Sequence, residues 1–287
     1  RQHFDIGNSI AMRTLVTVLF ALRFQTILIA QQPEPAQLHS LVFMHVTVID
    51  VSNGAQQPDM IVVIRGNRIT ELGKYAAVPK NARVVDGRGK FLIPGLWDMH
   101  VHLCWTTESA LPVLVANGVT SVRDMGGRLD EIDEWRTKIV AGLLIGPRIV
   151  RAGPILNGRS FNPLQMVPGN PDETRGAVRA LKSVRVDFIK VHRRLPRDSY
   201  FALIDEAKKQ GLPVVGHIPM SVTPEEASDS GQTTIEHTET LFEGMFSAGL
   251  SENQLPDAIR NFRAEGAEKL FARFVQNHTV VTATLGA

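Results

Sequence analysis

The chain has 287 residues, 44% hydrophobic and 21% charged, which is ordinary for a soluble globular protein and enough for a barrel plus a small extra domain. Its formal charge of +2 arises within the first thirty residues; beyond them 28 basic and 28 acidic residues balance, and no basic or aromatic-interleaved stretch suggests nucleic acid. The single cysteine, Cys104, excludes an internal disulfide framework.

Residues 1–37 read as a leader and linker. From Met12 the chain runs MRTLVTVLFALRFQTILIA, a short basic start and a mostly apolar stretch, followed by the polar QQPEPAQ. This resembles a secretory leader cleaved after Ala30, with a membrane-associated or disordered tail as the alternative. A processed leader implies export to the periplasm or beyond, with no stable membrane span in the mature chain; otherwise the protein is cytoplasmic. Residues 38–92 contain short β-rich pieces broken by turns at Ser52-Asn53-Gly54 and Arg65-Gly66-Asn67. They predict a small sheet, separate from the alternating strands and helices that fill residues 93–287.

The most informative segment is Phe91–Cys104, FLIPGLWDMHVHLC. Pro94 and Gly95 break the chain, and an apolar run then carries histidines two residues apart. Side chains alternate along a strand, so His100 and His102 share one side while Val101 takes the other. Two imidazoles on one face make half of a metal site. Arg123 and Asp124 end the next strand, placed to pair with each other. The stretch 158–171 reads as a loop overhanging one face of the barrel, or as a plain surface excursion.

Val186–His192, VDFIKVH, reads as a buried parallel strand carrying Lys190. A buried lysine is costly because desolvation disfavours its ammonium. Either its stem snorkels to water, or it is a neutral amine that has added carbon dioxide to give a carbamate able to bridge two metals. PVVGHIP then ends a strand at His217, and TTIEHTET does the same at His237. Each histidine alone is unremarkable, but four of them and a lysine at successive strand ends are hard to attribute to chance. The helices between are punctuated: Thr223-Pro224-Glu225-Glu226 forms a capping box closed by Gly231, and Leu195–Gln210 ends at Gly211.

Together DGRGKFLIPGLWDMHVHL, NGVTSVRDMGG, GPRIVRAGPIL, VDFIKVH, GLPVVGHIP and TIEHTETL resemble the amidohydrolase superfamily. The resemblance is to its imidazolonepropionase-like branch, which includes Xaa-Pro dipeptidases, and it covers about Leu41 to Leu285. It implies an α/β fold: a TIM-type (β/α)8 barrel, incomplete for want of strand eight, with a small N-terminal β-sandwich portion. It also implies a binuclear centre held by His100, His102, carboxylated Lys190, His217 and His237, with two divalent ions (zinc first) as cofactors. The family's eighth-strand aspartate has no counterpart before Ala287, so the chain reads as C-terminally truncated.

The implied activity is hydrolysis of amide or peptide bonds in a small molecule or dipeptide. Two alternatives stay open: a mononuclear deaminase-like enzyme, and an impaired fragment whose open sheet edges favour homo-oligomers. His192 shares the inward side with Lys190, and with Arg193 and Arg194 it is a candidate substrate contact, the arginines for a substrate carboxylate.

Overall fold

The computed structural model describes residues 40–238, 241 and 264–284, so the expected leader at residues 1–37 lies outside the described residues. The chain divides into two compact units between Pro94 and Gly95.

In the first unit, β1 (Leu41–Asp50) and β2 (Ala55–Arg65) form an antiparallel hairpin. The turn is closed by its own polar side chains. Asp50 Oδ1 accepts from the Ser52 amide at 2.9 Å, and Asn53 Oδ1 accepts from the Ala55 amide at 2.8 Å. β3 (Arg68–Gly73) pairs antiparallel with β2, while β4 (Arg83–Asp86) and β5 (Phe91–Leu92) pair parallel with β1. Val46, Met60 and Val62 bury one small cluster, against which Phe43, Val48, Ile64 and Leu92 pack. Ile69, Leu72, Val84 and Phe91 stay exposed. The expected β-sandwich portion is one five-stranded sheet among the described residues.

The second unit begins with β6 (Leu96–Val101), α1 (Ala110–Ala116), β7 (Val119–Asp124), α2 (Leu129–Val140) and β8 (Arg148–Arg151). A short parallel pair, β9 (Ile155–Leu156) and β10 (Gln165–Met166), follows. Next come α3 (Pro171–Ser183), β11 (Ile189–Val191), α4 (Arg197–Gln210), β12 (Val214–Gly216), α5 (Pro224–Ser230), β13 (Thr234–Glu236), α6 (Ala264–Asn277) and β14 (Val280–Thr282). The strands are parallel and ordered β6-β7-β8 and β10-β9-β11-β12-β13-β14. The two sheets are linked where the Asp187 amide donates to the Arg151 carbonyl at 2.9 Å and the Arg151 amide donates back to Asp187 Oδ2 at 2.9 Å. β6, β7, β8, β11, β12, β13 and β14 therefore succeed one another in the order of a (β/α) barrel.

Alternation along these strands separates two apolar layers. Ile189, Val191, Val214 and Ile235 pack outward with helix residues such as Leu181, Leu203, Leu270 and Phe274. Met125, Ala152, Phe188 and Val215 form a smaller inner cluster. Helix punctuation is as its residues dictate. Thr223 and Glu226 bond each other's backbone amides in a capping box, and Gly211 and Gly231 close their helices in left-handed conformation. The strands are shorter than the apolar runs suggest, with VDFIKVH giving only Ile189–Val191. No described helix is long and apolar enough to cross a membrane.

Gly216, just before His217, has φ +129°, and a Cβ there would lie 2.2 Å from the Val191 carbonyl oxygen. Only glycine lets β12 approach β11 this closely. Gly216→Ala should lower stability by about 2–4 kcal/mol. Thermal unfolding of the variant checks this, and an unchanged midpoint would contradict the close approach.

Candidate functional site

The strand ends of the second unit carry a continuous row of imidazoles. His100 is the penultimate residue of β6, and His102 caps the 3-10 turn at Leu103–Trp105. Ring centroids are 5.4 Å apart for His102 and His100, 4.6 Å for His100 and His237, 4.7 Å for His237 and His217, and 4.3 Å for His217 and His192. The structure thus brings four sequence-predicted histidines together and adds His192 to the row.

Several ring nitrogens are already engaged. His102 Nδ1 donates to the Gly126 carbonyl at 3.1 Å, its ring stacking on Trp105 with centroids 4.5 Å apart. His237 has φ +69°, a left-handed conformation uncommon for a residue with a side chain. It is held there by its amide, which donates to the Thr282 carbonyl at 2.9 Å, and by a 2.7 Å bond between Nδ1 and Thr284 Oγ1. Burial above all pushes the imidazole pKa of His102, His192 and His237 down to about 4 and that of His217 lower still, with the positive charge of Lys190 adding to it. The rings are therefore neutral at pH 7 and retain lone pairs.

Lys190 on β11 is 1% exposed, and its Nζ has no hydrogen-bond partner. The snorkelling alternative fails because the amine does not reach water. Desolvation pushes its pKa down to about 7, opposed by the charge of Glu236 and assisted by Arg123. The buried Nδ1 atoms of His192 and His217 also lack partners. Among the described residues, no three His, Cys, Asp or Glu side chains form a group able to hold an ion by themselves. What this set offers a metal is different: neutral imidazoles, two of them with orphaned nitrogens, around an orphaned amine.

Arg194 lies over the Phe161 ring at 4.8 Å, with Arg159 on the same ring at 5.7 Å. Asn157 fixes this arrangement, its Oδ1 accepting from the amides of Gly158 at 3.0 Å and Arg194 at 3.1 Å. The Arg193 carbonyl accepts from the Met220 amide at 2.9 Å. Cys104 donates to the Gly126 carbonyl at 3.5 Å, and burial raises its thiol pKa to about 11.

Arg123 and Asp124 do not pair with each other. Arg123 bonds Glu236 at 2.6 Å, while Asp124 Oδ1 accepts from the Leu103 amide at 2.9 Å. Consecutive residues of a strand point to opposite sides, which is why pairing fails. Glu236 escaped the sequence reading although it precedes His237 directly. Its signal was available: a glutamate in an apolar strand, two residues after Thr234, needs a buried partner.

A sequence profile for the amidohydrolase family matches residues 91–255. A dihydroorotase from Trichlorobacter lovleyi is 35% identical over 105 residues, which cover 34% of this chain and 24% of the relative. Among solved structures, a Bifidobacterium longum protein assigned as a prolidase is 25% identical with a TM-score of 0.61, covering 72% of this chain and 57% of its own. A Xaa-Pro dipeptidase with methionine bound in its active site gives a TM-score of 0.62 at 20% identity, covering 86% of this chain and 67% of its own. The chain thus spans about a quarter of the matched dihydroorotase and just over half of the Bifidobacterium protein.

Burying an unpaired amine destabilises the fold by about 1–3 kcal/mol. Lys190→Met keeps the volume and removes that penalty, so in metal-free, carbonate-free buffer at pH 7 it should raise the melting temperature by roughly 2–10 °C. The gain has a definite pH dependence. The unfolded lysine titrates near its ordinary 10.5 and the folded one near 7, so between those values the unfolded chain binds more protons. Wild-type stability at this position therefore rises from pH 7 toward 10.5. Melting curves across that window should show the variant's advantage greatest below pH 7 and shrinking above it.

Proposed function

Because the chain belongs to the amidohydrolase family, we propose that it is a metal-dependent hydrolase of amide or peptide bonds with a carboxylated lysine at its centre. The observation that carries this reading is Lys190, a fully buried amine without a partner set among neutral imidazoles. A neutral amine can attack carbon dioxide, forming an N–C bond and losing a proton. The product is an anionic carbamate, in which the lysine nitrogen carries a carboxylate with two oxygens and the proton has passed to solvent. That change would complete the donor set, since among the described residues the histidines alone form no group able to hold an ion.

Divalent ions would be held by His100, His102, His217, His237 and carboxylated Lys190, and zinc suits this set of imidazole nitrogens and carboxylate-like oxygens. When bound, such ions polarise a substrate carbonyl and lower the pKa of water toward neutrality. The chain's own residues supply the rest. Gly126 holds His102 through its Nδ1, and Thr284 holds His237 in the same way. Trp105 covers one face of His102. Phe161, braced between Arg159 and Arg194, stands at the loop that follows β9, and a carboxylate-bearing substrate would meet these guanidinium groups. The likeness to a structure assigned as a prolidase supports a small molecule or dipeptide as the substrate class.

The test is metal analysis coupled to hydrolysis. Protein prepared with zinc and bicarbonate should hold close to two ions and cleave members of a panel of Xaa-Pro dipeptides and N-acyl amides. His100→Ala/His102→Ala should lose bound zinc, and Lys190→Ala should hold one ion or fewer, with partial restoration by short carboxylic acids. Two ions retained in Lys190→Ala without added acid would refute the carbamate, and a two-ion protein inert toward the whole panel would refute the reaction class.

A further inference from the structure

Beside the row of imidazoles lies a buried ion pair that the expected ligand set does not use. Glu236 is 0% exposed and Arg123 is 5% exposed. Oε2 of Glu236 is bonded to His100 Nδ1 at 2.8 Å. Oε1 accepts from Arg123 at 2.6 Å and from the Thr234 hydroxyl at 2.6 Å. Arg123 also donates to the Met99 carbonyl at 2.7 Å and to the hydroxyls of Thr234 and Thr282, each at 3.1 Å. One guanidinium thereby joins residues of β6, β13 and β14 to its own strand, β7.

We propose that Glu236, clamped by Arg123, is a positioning residue that locks His100 in its Nδ1–H tautomer and reserves Nε2 as the metal-binding nitrogen. The inference rests on the metal-hydrolase reading above. An ionised carboxylate only accepts hydrogen bonds, so the nitrogen 2.8 Å from Oε2 must carry the proton. The opposite tautomer would set lone pair against lone pair beside a carboxylate that is fully buried. Both carboxylate oxygens are engaged, and one faces a guanidinium, so Glu236 is poorly placed to carry protons for a reaction. Orientation is the role left to it. A carboxylate behind a metal-binding histidine fixes the ring's tautomer and raises its basicity, and losing it typically costs about 10–100-fold in metal affinity.

The lock is read directly in metal-free protein labelled with ¹⁵N-histidine, using long-range ¹H–¹⁵N correlation and a His100→Gln variant to assign the ring. In its neutral form His100 should carry its proton on Nδ1 and leave Nε2 bare. In Glu236→Gln the amide oxygen stays with Arg123, so its NH₂ faces His100 and drives the ring's proton to Nε2. Zinc affinity by chelator competition should then fall roughly 10–100-fold. A wild-type His100 protonated on Nε2 overturns the proposal, as does a Glu236→Gln protein with unaltered tautomer and zinc affinity. If that variant does not fold, the wild-type spectrum decides alone. An intact lock in a wild-type protein that takes up no zinc would sustain the tautomer assignment and sink the metal-hydrolase reading.

Discussion

The second unit is organised around the bond between Arg123 and Glu236, two charges taken wholly out of water. Desolvating an ion costs several kcal/mol, and attraction between partners offsets that only when every remaining donor and acceptor is also satisfied. Here the accounting closes almost completely. The guanidinium reaches a carbonyl, two hydroxyls and the carboxylate, while the carboxylate adds the Thr234 hydroxyl and His100. A hydrophobic pair of similar volume would stabilise the barrel at least as well. What hydrophobic packing could not do is fix the order and spacing of four strand ends and one imidazole at once. The pair is best understood as a device for geometry, obtained at little net cost because it is so fully bonded.

The row of imidazoles and Lys190 follows the opposite logic. Lys190 Nζ and the Nδ1 atoms of His192 and His217 are buried with no partner, and each such group lowers stability. They sit directly beside a network in which nearly every atom is matched. The contrast places the unsatisfied atoms where an outside group would bond to them. It also explains why His102, His192, His217 and His237 stay neutral: low dielectric surroundings disfavour the cation, and a crowd of potential cations disfavours it further. A site that must present lone pairs at neutral pH is built by that combination.

Much of this was legible in the sequence. His100, His102, Lys190, His217 and His237 were readable because each stands in or beside an apolar run with strand-like character. Thr223, Glu226, Gly211 and Gly231 were readable because caps follow from local chemistry. The partnership of Arg123 was not, since it depends on Glu236, 113 residues away, and on which strand ends face one another. Strand lengths were overread for a related reason: VDFIKVH is apolar apart from Asp187, Lys190 and His192 and is mostly buried, yet only three of its residues form a strand.

His237 shows how the two kinds of information combine. Ile235 packs outward among the helices, so Thr234 and Glu236 face the interior and strict alternation would send His237 outward with Ile235. Instead the backbone turns left-handed at His237, and the ring lies within 5 Å of both His100 and His217 by centroid. This conformation costs on the order of 1–3 kcal/mol for a residue with a side chain. The bonds from His237 to Thr282 and Thr284 offset part of that cost and come from the end of the neighbouring strand, β14. Strain at His237 and orphaned atoms at Lys190, His192 and His217 thus lie within one site, in a barrel whose other buried polar groups are mostly paired. A group binding there would bond atoms that the fold leaves unmatched, so its binding energy adds directly to the stability of the folded chain.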